Sequence, residues 1–490
     1  MKSYSLLIDG APVTAQASFE SEDPFQGKPW ALIPRATAQH VDAAVEAAYR
    51  ALHQGPWSGF NATQRGALLR RLGDLLAEHS ETLASTEVRD NGKLLSDMRK
   101  QLSYEPQVFY YYAGLADKIE GSLLPSDKAD ILNFTRHEPV GVVAIITAWN
   151  APINLLAKKL APALAAGCTV VVKPSEHASA STLELATLIE KAGFPNGVVN
   201  VVTGFGDEVG SPLVSHSKVS KVAFTGSENT GKRVYELAAR SLKKVTLELG
   251  GKSPNIVFPD ANLENAANGV VAGVFAASGQ TCIAGARLLV HRSILEEFSE
   301  RVKSVAAGVR MGNPMDLDTE LGPIANRQQF EKIRQYLDIA RSDGAELLLG
   351  GKRAERPECG DGLFIEPTIY ARGDNQMRIA REEIFGPVLV IIPFDDDEQA
   401  IAIANDSPYG LAAGVWTNDM RRMVHMSGKL QVGTVWINTY RAVSFMSPFG
   451  GYKASGIGRE NGREAIYAYL QTKSVWLSTA TNVPNPFIMR

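Results

Sequence analysis

Along the first part of the chain, apolar residues recur at three- and four-residue spacing. Residues 41–52 and 64–79 both carry such a stripe, and 37–103 as a whole reads as helices with one buried face. From residue 140 the period changes. Short β-branched runs alternate with helical stretches: 141–147, then Pro152–Ala166, then Thr169–Lys173. The alternation continues through 181–192, 198–202, 221–225, 231–242 and 244–249. This βαβ repetition predicts an α/β fold with a parallel, doubly wound sheet and a ligand crevice at the strands' carboxyl ends. A second α/β stretch spans about 262–445. It contains a helix over 262–277, a strand over Arg287–His291, a helix over 295–309, and strand regions at 384–394 and 410–417. A loop rich in Gly, Pro and aromatics follows (447–462), then a strand-like 474–478. No internal repeat or low-complexity segment interrupts the pattern.

Size and charge narrow the function classes. A chain of 490 residues exceeds one ordinary hydrophobic core, so two or three domains are expected. Fifty basic against 53 acidic residues leave a formal charge of −3, which gives no electrostatic reason to expect nucleic acid or a membrane as partner. Three scattered cysteines, Cys168, Cys282 and Cys359, suit neither a disulfide framework nor a metal site, so no metal is expected. The odd count fits a reducing compartment. The first residues reach Asp9 without a long apolar core, so no signal peptide is expected, and the apolar runs are strand-length. Together these features predict a cytoplasmic enzyme.

Three glycine patterns follow strands. Gly204-Phe-Gly206-Asp-Glu-Val-Gly210 mimics a dinucleotide fingerprint, but no acidic residue follows a strand about 20 positions on, so a tight turn is the favoured reading. Gly226-Ser227-Glu-Asn-Thr-Gly231-Lys232 nearly spells a P-loop. Arg233 stands where a magnesium-binding hydroxyl belongs, which disfavours a nucleotide triphosphatase. A pyrophosphate at the start of the following helix, or a plain helix start capped by Ser227 or Asn229, both remain open. Gly250-Gly251 follows a strand in which Thr246 and Glu248 share one face. Glu248 reads either as a base facing a crevice or as an ion-paired strand residue.

A thiol nucleophile must be accessible and able to ionise. Cys282, in Phe275-Ala-Ala-Ser-Gly279-Gln280-Thr281-Cys282, lies on a glycine-containing loop after an apolar helix, whereas Cys168 precedes a buried strand. The pattern Phe-x-x-x-Gly-Gln-x-Cys, with the glutamate of Leu-Glu248-Leu-Gly-Gly-Lys 34 residues upstream, resembles the aldehyde dehydrogenase superfamily. Trp149-Asn150-x-Pro152, Val-Lys173-Pro-Ser-Glu176, Phe-Thr-Gly226-Ser227, Glu383-Ile-Phe385-Gly-Pro and Pro448-Phe-Gly-Gly-Tyr-Lys match too, in the family's order, over roughly residues 20 to 480.

The resemblance implies a mechanism. Cys282 would attack the aldehyde carbonyl, and the oxyanion would be held by the Asn150 side-chain amide and the Cys282 backbone N–H. Hydride transfer would leave a thioester, hydrolysed by water that Glu248 activates. Asn150 has a competing reading, because a residue just before Pro152 sits where a helix cap belongs. The resemblance also places Lys173 and Glu176 at the adenosine ribose, and Trp149 and Ser227, beside Gly226, at the pyrophosphate. Glu383 would bind the nicotinamide ribose, with Phe385 beside the ring. The Glu176 carboxylate favours NAD over NADP, and Lys173 softens that preference, so NADP stays open.

The substrate positions depart from what the family typically shows. Asn150, Asn154 and Lys158 line one helical face. Members acting on simple apolar aldehydes carry bulky apolar groups at the positions of Ala151, Asn154 and Lys158. Arg441 falls at the substrate entrance, Thr281 and Ile283 flank the nucleophile, and Phe449 keeps an aromatic wall. Two cations and an amide point to a polar or carboxylate-bearing aldehyde, a semialdehyde, anchored by Arg441 and Lys158. The alternative is that Lys158 snorkels to solvent and Arg441 lies on the loop surface. A CoA-acylating dehydrogenase and a cofactor-free thiol hydrolase are the rival enzymes; a non-catalytic protein is a third alternative. The resemblance further implies an NAD-binding domain (1–115 and 137–250), a catalytic domain (251–450) and a small β oligomerisation flap (116–136 and 472–490), with a homodimer or homotetramer expected.

Overall fold

The computed structural model describes residues 1–482, Asn485 and Phe487; the rest of the tail expected in the flap lies outside the described residues. Four helices occupy the amphipathic N-terminal region: Ala38–His53, Ala62–Glu78, Ser80–Asn91 and Leu95–Leu115. Short strands precede them. Leu6–Ile8 and Ala11–Val13 extend the first large sheet at one edge, antiparallel to their neighbours.

Five parallel strands form the centre of that sheet, in the spatial order Lys244–Glu248, Val219–Thr225, Val142–Ile146, Thr169–Lys173, Val199–Val201. The first of these in sequence, Val142–Ile146, has later strands on both sides, so the chain winds outward in two directions from it. The gap beyond its carboxyl end is the topological switch point, where helices leave to opposite faces and a ligand crevice opens. Val142–Ile146 and Thr169–Lys173 are buried along their whole length, which explains why they read as continuous apolar runs rather than alternating ones. The helix Pro152–Ala166 between them begins with Pro at its first turn and ends at Gly167, whose φ of 93° is a left-handed helix stop.

The second large sheet has the order Glu346–Leu349, Thr368–Ala371, Val388–Phe394, Arg287–His291, Pro254–Val257, Ala412–Trp416, Thr434–Ile437, parallel except at its first strand. Two sequence expectations end early here for a shared reason. The helix predicted over 262–277 stops at Phe275, because Ala277 and Ser278 take positive φ values of 54° and 55°. The strand predicted from 384 begins only at Val388, because Phe385 sits at φ 60° ahead of Gly386-Pro387. The two deviations touch: Gly279, next to Ser278, packs against the Gly386–Pro387 peptide. The loop 447–462 holds two short strands, and one of them, Gly456–Ile457, pairs with Lys244–Glu248 at the edge of the first sheet. A third, small sheet pairs Leu470–Ser478 with Ile131–Pro139 and then Leu123–Leu124, all antiparallel.

Candidate active site

A crevice of about 700 Å³ opens at the switch point of the first sheet. Its walls come from the carboxyl ends of the parallel strands: residues 146–150, Lys173, Thr225 to Ser227, and Glu248 to Gly250. Cys282, Glu383 and Phe385 reach it from the second sheet's side. All three residues with expected catalytic roles (Cys282, Glu248, Asn150) and all those with expected cofactor roles (Trp149, Lys173, Glu176, Gly226, Ser227, Glu383, Phe385) therefore border one cavity.

The loop carrying Cys282 is held by contacts that account for its sequence. Gly279 has φ 71° and packs against the Gly386–Pro387 peptide so closely that a Cβ would overlap it. Only glycine fits. Ser278 donates to the Gly322 carbonyl at 2.7 Å. Gln280 accepts from the Ala325 N–H at 2.9 Å, and its own carbonyl accepts from the Asn150 amide at 3.0 Å. Cys282 keeps partial exposure, and beside it Ile283 packs with Leu411, Ala412 and Trp436. Gly251 makes room for the loop, since a Cβ there would lie 2.7 Å from the Cys282 carbonyl oxygen.

Asn150 does not cap the helix that follows it. Ala151 occupies the capping position without a side-chain bond, and the buried Glu87 carboxylate accepts from the Ile153 N–H at 2.9 Å instead. An anion supplied by a neighbouring helix does the capping, which leaves the Asn150 amide beside the nucleophile loop. Sequence spacing cannot show this, because Glu87 lies on another helix.

Glu248 is buried, and one of its oxygens has no hydrogen-bond partner. Gly450 makes its space: a Cβ there would sit 2.7 Å from Glu248 Oε1. Burial and the like charge of Glu460 raise the Glu248 pKa well above the usual carboxylate range, opposed by Lys159 and Lys158. Behind it, Lys159 is ion-paired to Glu460, both buried. The Cys282 thiol is pushed up to about 12 by burial and by the charges of Glu248 and Glu383, with Lys158 pulling the other way. The resting sulfur is a thiol, and its ionisation needs a base and a compensating positive charge.

On the cofactor side, Lys173 Nζ lies 3.4 Å from a Glu176 oxygen at the end of its strand. Ser227 caps the helix Glu228–Ala239 by accepting from Thr230 N–H, so the helix start faces the crevice. Trp149 and Phe385 meet edge to face at 5.3 Å. The Glu383 carboxylate accepts from Gly251 N–H at 3.0 Å, and a Cβ on Gly250 would overlap its other oxygen. Two residues that the sequence reading missed hold this corner. Gln329 donates to the Ile384 and Phe385 carbonyls, both at 2.9 Å, and Lys332 donates to the Glu383 carbonyl at 3.0 Å. They come from the helix Arg327–Ser342, whose amphipathic pattern gave no hint of it. The glycine run 204–210 is more than a turn: Gly206–Gly210 forms a wide helical turn that lines the crevice with Phe205.

The expected substrate residues lie beyond the cavity wall. Ala151, Asn154 and Lys158 belong to the start of the helix Pro152–Ala166 and the residue before it. Lys158 is half-buried, with its ammonium 5.4 Å from the centre of the Phe449 ring, rather than extended into solvent. Arg441 is half-buried too, at φ 65°, donating to the Ala272 carbonyl at 3.3 Å. Thr281 is half-buried beside Cys282.

This arrangement, a half-buried thiol and a buried carboxylate bordering a dinucleotide-type crevice, agrees with sequence comparison. The sequence model of the aldehyde dehydrogenase family matches residues 13–475. The chain belongs to the aldehyde dehydrogenase family. It is 46% identical to (Z)-2-((N-methylformamido)methylene)-5-hydroxybutyrolactone dehydrogenase of Acinetobacter baylyi, covering 100% of both chains. Among solved structures, betaine aldehyde dehydrogenase from Staphylococcus aureus in complex with NAD+ superposes with a TM-score of 0.98 at 40% identity, over 99% of this chain and 97% of that one. An aldehyde dehydrogenase from Bacillus cereus, also with NAD+, gives 0.95 at 43% identity over 98% and 97%. As an aldehyde dehydrogenase with the mixed α/β, parallel-sheet fold of its family, the chain is an oxidoreductase. No helix among the described residues is long and apolar enough to cross a membrane.

Proposed function

We propose that this chain oxidises a polar or carboxylate-bearing aldehyde to its acid with NAD, through a hemithioacetal and then a thioester on Cys282. The observation that carries the reading is the shared cavity: Cys282, Glu248 and Asn150 border the same space as Lys173, Glu176, Ser227 and Glu383. That space fits a dinucleotide. The start of the helix Glu228–Ala239 suits a pyrophosphate, Glu176 with Lys173 suits ribose hydroxyls, and glycine at 250 leaves room beside Glu383. When bound, NAD supplies a hydride acceptor and a positive ring charge.

The remaining steps belong to the protein. The Cys282 thiol loses its proton to water in the crevice it borders, and the sulfur attacks the carbonyl carbon. Asn150, fixed by its bond to the Gln280 carbonyl, turns its amide toward the developing oxyanion. After hydride loss, Glu248 removes a proton from water, the hydroxide attacks the thioester, and the acid leaves as the thiol reforms. The Glu176 carboxylate favours a free ribose 2′-hydroxyl, hence NAD over NADP. On this reading, residues 1–115 and 137–250 hold the cofactor, 251–450 supply the nucleophile, and 116–136 with 472–490 join subunits. Leu123, Leu132, Trp476 and Leu477, exposed on the small sheet, support a homodimer or homotetramer. Three free cysteines suit a reducing, cytoplasmic setting.

An aldehyde panel read by NADH absorbance, run beside Cys282→Ser, tests the activity. Turnover by Cys282→Ser at the parent rate would overturn it. Adding CoA separates the acylating alternative: an acyl-CoA product in place of the free acid would favour that branch.

A further inference from the structure

Three elements meet near Cys282, which packs against the same apolar cluster as Phe449. The helix Pro152–Ala166 presents Asn154 and Lys158, one turn apart. The helix Leu95–Leu115 packs against it and carries Gln101 and Glu105, again one turn apart. The loop 438–449 closes the third side. Its Phe445 lies 5.4 and 5.2 Å from the rings of Tyr104 and Tyr111 on that second helix, and its Phe449 lies beneath Lys158.

Glu105 is fully buried in this junction. One of its oxygens accepts from the Asn154 amide; the other has no partner, and neither does the Gln101 amide nitrogen. A buried carboxylate left half-satisfied is costly unless charge compensates it. Lys158 and Lys93 provide that charge. Burial still lifts the Glu105 carboxyl to about 7, while Asn154, Lys158 and Lys93 pull it down. Lys93, on the turn before the same helix, is lowered to about 8 by burial and by the neighbouring charges of Arg441 and Lys158. Three cations thus share one mouth. Of the carboxylates near them, Glu87 is engaged with the Ile153 N–H, and Asp97 acts on Lys93 and Arg441. Glu105 and, nearer the nucleophile, Glu248 are the carboxylates that answer Lys158.

We propose that Glu105 is a specificity-determining residue that, by offsetting Lys158 from behind, sets how strongly the entrance prefers an anionic aldehyde over a neutral one of the same shape. The inference rests on Cys282 being the nucleophile and deepens that reading. With Glu105 ionised, Lys158 offers hydrogen bonds with little net charge, which suits a hydroxyl or carboxamide oxygen on the substrate tail. Without that carboxylate, an unopposed ammonium beside Phe449 selects a carboxylate.

Glu105→Gln tests this, because glutamine keeps the shape and can still accept from Asn154. At pH 8, kcat/KM is compared for 4-oxobutanoate and its methyl ester; a ratio within each variant cancels any general loss of rate. The carboxylate-to-ester ratio should rise about tenfold in Glu105→Gln, mainly through KM, and fall about tenfold in Lys158→Met, where Glu105 stands alone. Relative protection of Cys282 from iodoacetamide by the two aldehydes gives the same comparison without turnover. If Glu105→Gln does not fold, Lys158→Met carries the test. A ratio unchanged within twofold in the folded variants overturns the proposal. Oxidation of both aldehydes by Cys282→Ser would instead overturn the reading of the site.

Discussion

Replacing Gly450 with alanine isolates the hydrolytic half of the reaction. A Cβ at 450 would lie 2.7 Å from Glu248 Oε1, 2.8 Å from the Gly458 carbonyl oxygen and 3.0 Å from Arg459 Cδ. Comfortable carbon–oxygen contact is about 3.3–3.6 Å, so the carboxylate must retreat by more than half an ångström. Its backbone cannot follow, because Glu248 is paired with Thr225 on one side and Gly456 on the other. The side chain must rotate instead, and a misplacement of about 1 Å costs on the order of 100-fold in rate. The φ of 151° at Gly450 adds roughly 1–3 kcal/mol of backbone strain for any residue with a side chain. Rapid-mixing fluorescence of NADH separates the steps. We expect a burst close to one NADH per active subunit, followed by a steady state about 100-fold slower than the parent enzyme. A parent-like steady-state rate would refute the argument, as would loss of the burst while iodoacetamide still labels Cys282 normally.

Four further outcomes follow from the same geometry. Asn150→Ala should lower kcat by about 100- to 1000-fold while NAD still binds, read by tryptophan quenching; a loss under fivefold would remove its oxyanion role. The raised Glu248 pKa has a definite sign: a base must be ionised, so the deacylation rate climbs with pH through that elevated value, and an acid limb at the ordinary carboxylate range would contradict it. Glu176→Gln removes the carboxylate that repels a 2′-phosphate, and the NADP-to-NAD ratio of kcat/KM should rise about tenfold or more in parallel initial-rate assays. Arg287 is fully buried and donates to Lys252, Ile403 and Ala404 carbonyls and to Asn375 Oδ1 at 2.8–2.9 Å. Arg287→Leu strands these acceptors and should cost about 3–5 kcal/mol in denaturant unfolding, with a midpoint within error of the parent counting against it.

The electrostatics of the site disfavour the charged form of both reacting groups. Burial and the nearby Glu248 and Glu383 carboxylates raise the Cys282 thiol, and burial and Glu460 raise the Glu248 carboxyl. Deacylation requires Glu248 to be ionised first, and Lys159 and Lys158 are the groups that favour this. Such a site suppresses the reactivity of an idle thiolate until a substrate and a positive ring charge arrive.

Local sequence determined the elements wherever burial was uniform and the chain geometry regular. The helix Pro152–Ala166 and the strands Thr169–Lys173 and Arg287–His291 begin and end where Pro, Gly and β-branched runs place them, because short-range sterics and one-sided burial act within a few residues. The motifs around Cys282, Glu248 and Glu383 were legible for a related reason. Each contains glycines whose absent Cβ is required by a specific close neighbour, so the chemistry leaves a mark in the string itself. Tertiary structure alone decided the rest. Glu87 frees Asn150 from capping, Gln329 and Lys332 pin the turn carrying Glu383 and Phe385, and Glu105 answers Lys158, each from an element distant in sequence. Charge compensation and hydrogen bonding act through space over a few ångströms, and no spacing rule along one chain encodes which distant helix will supply the partner.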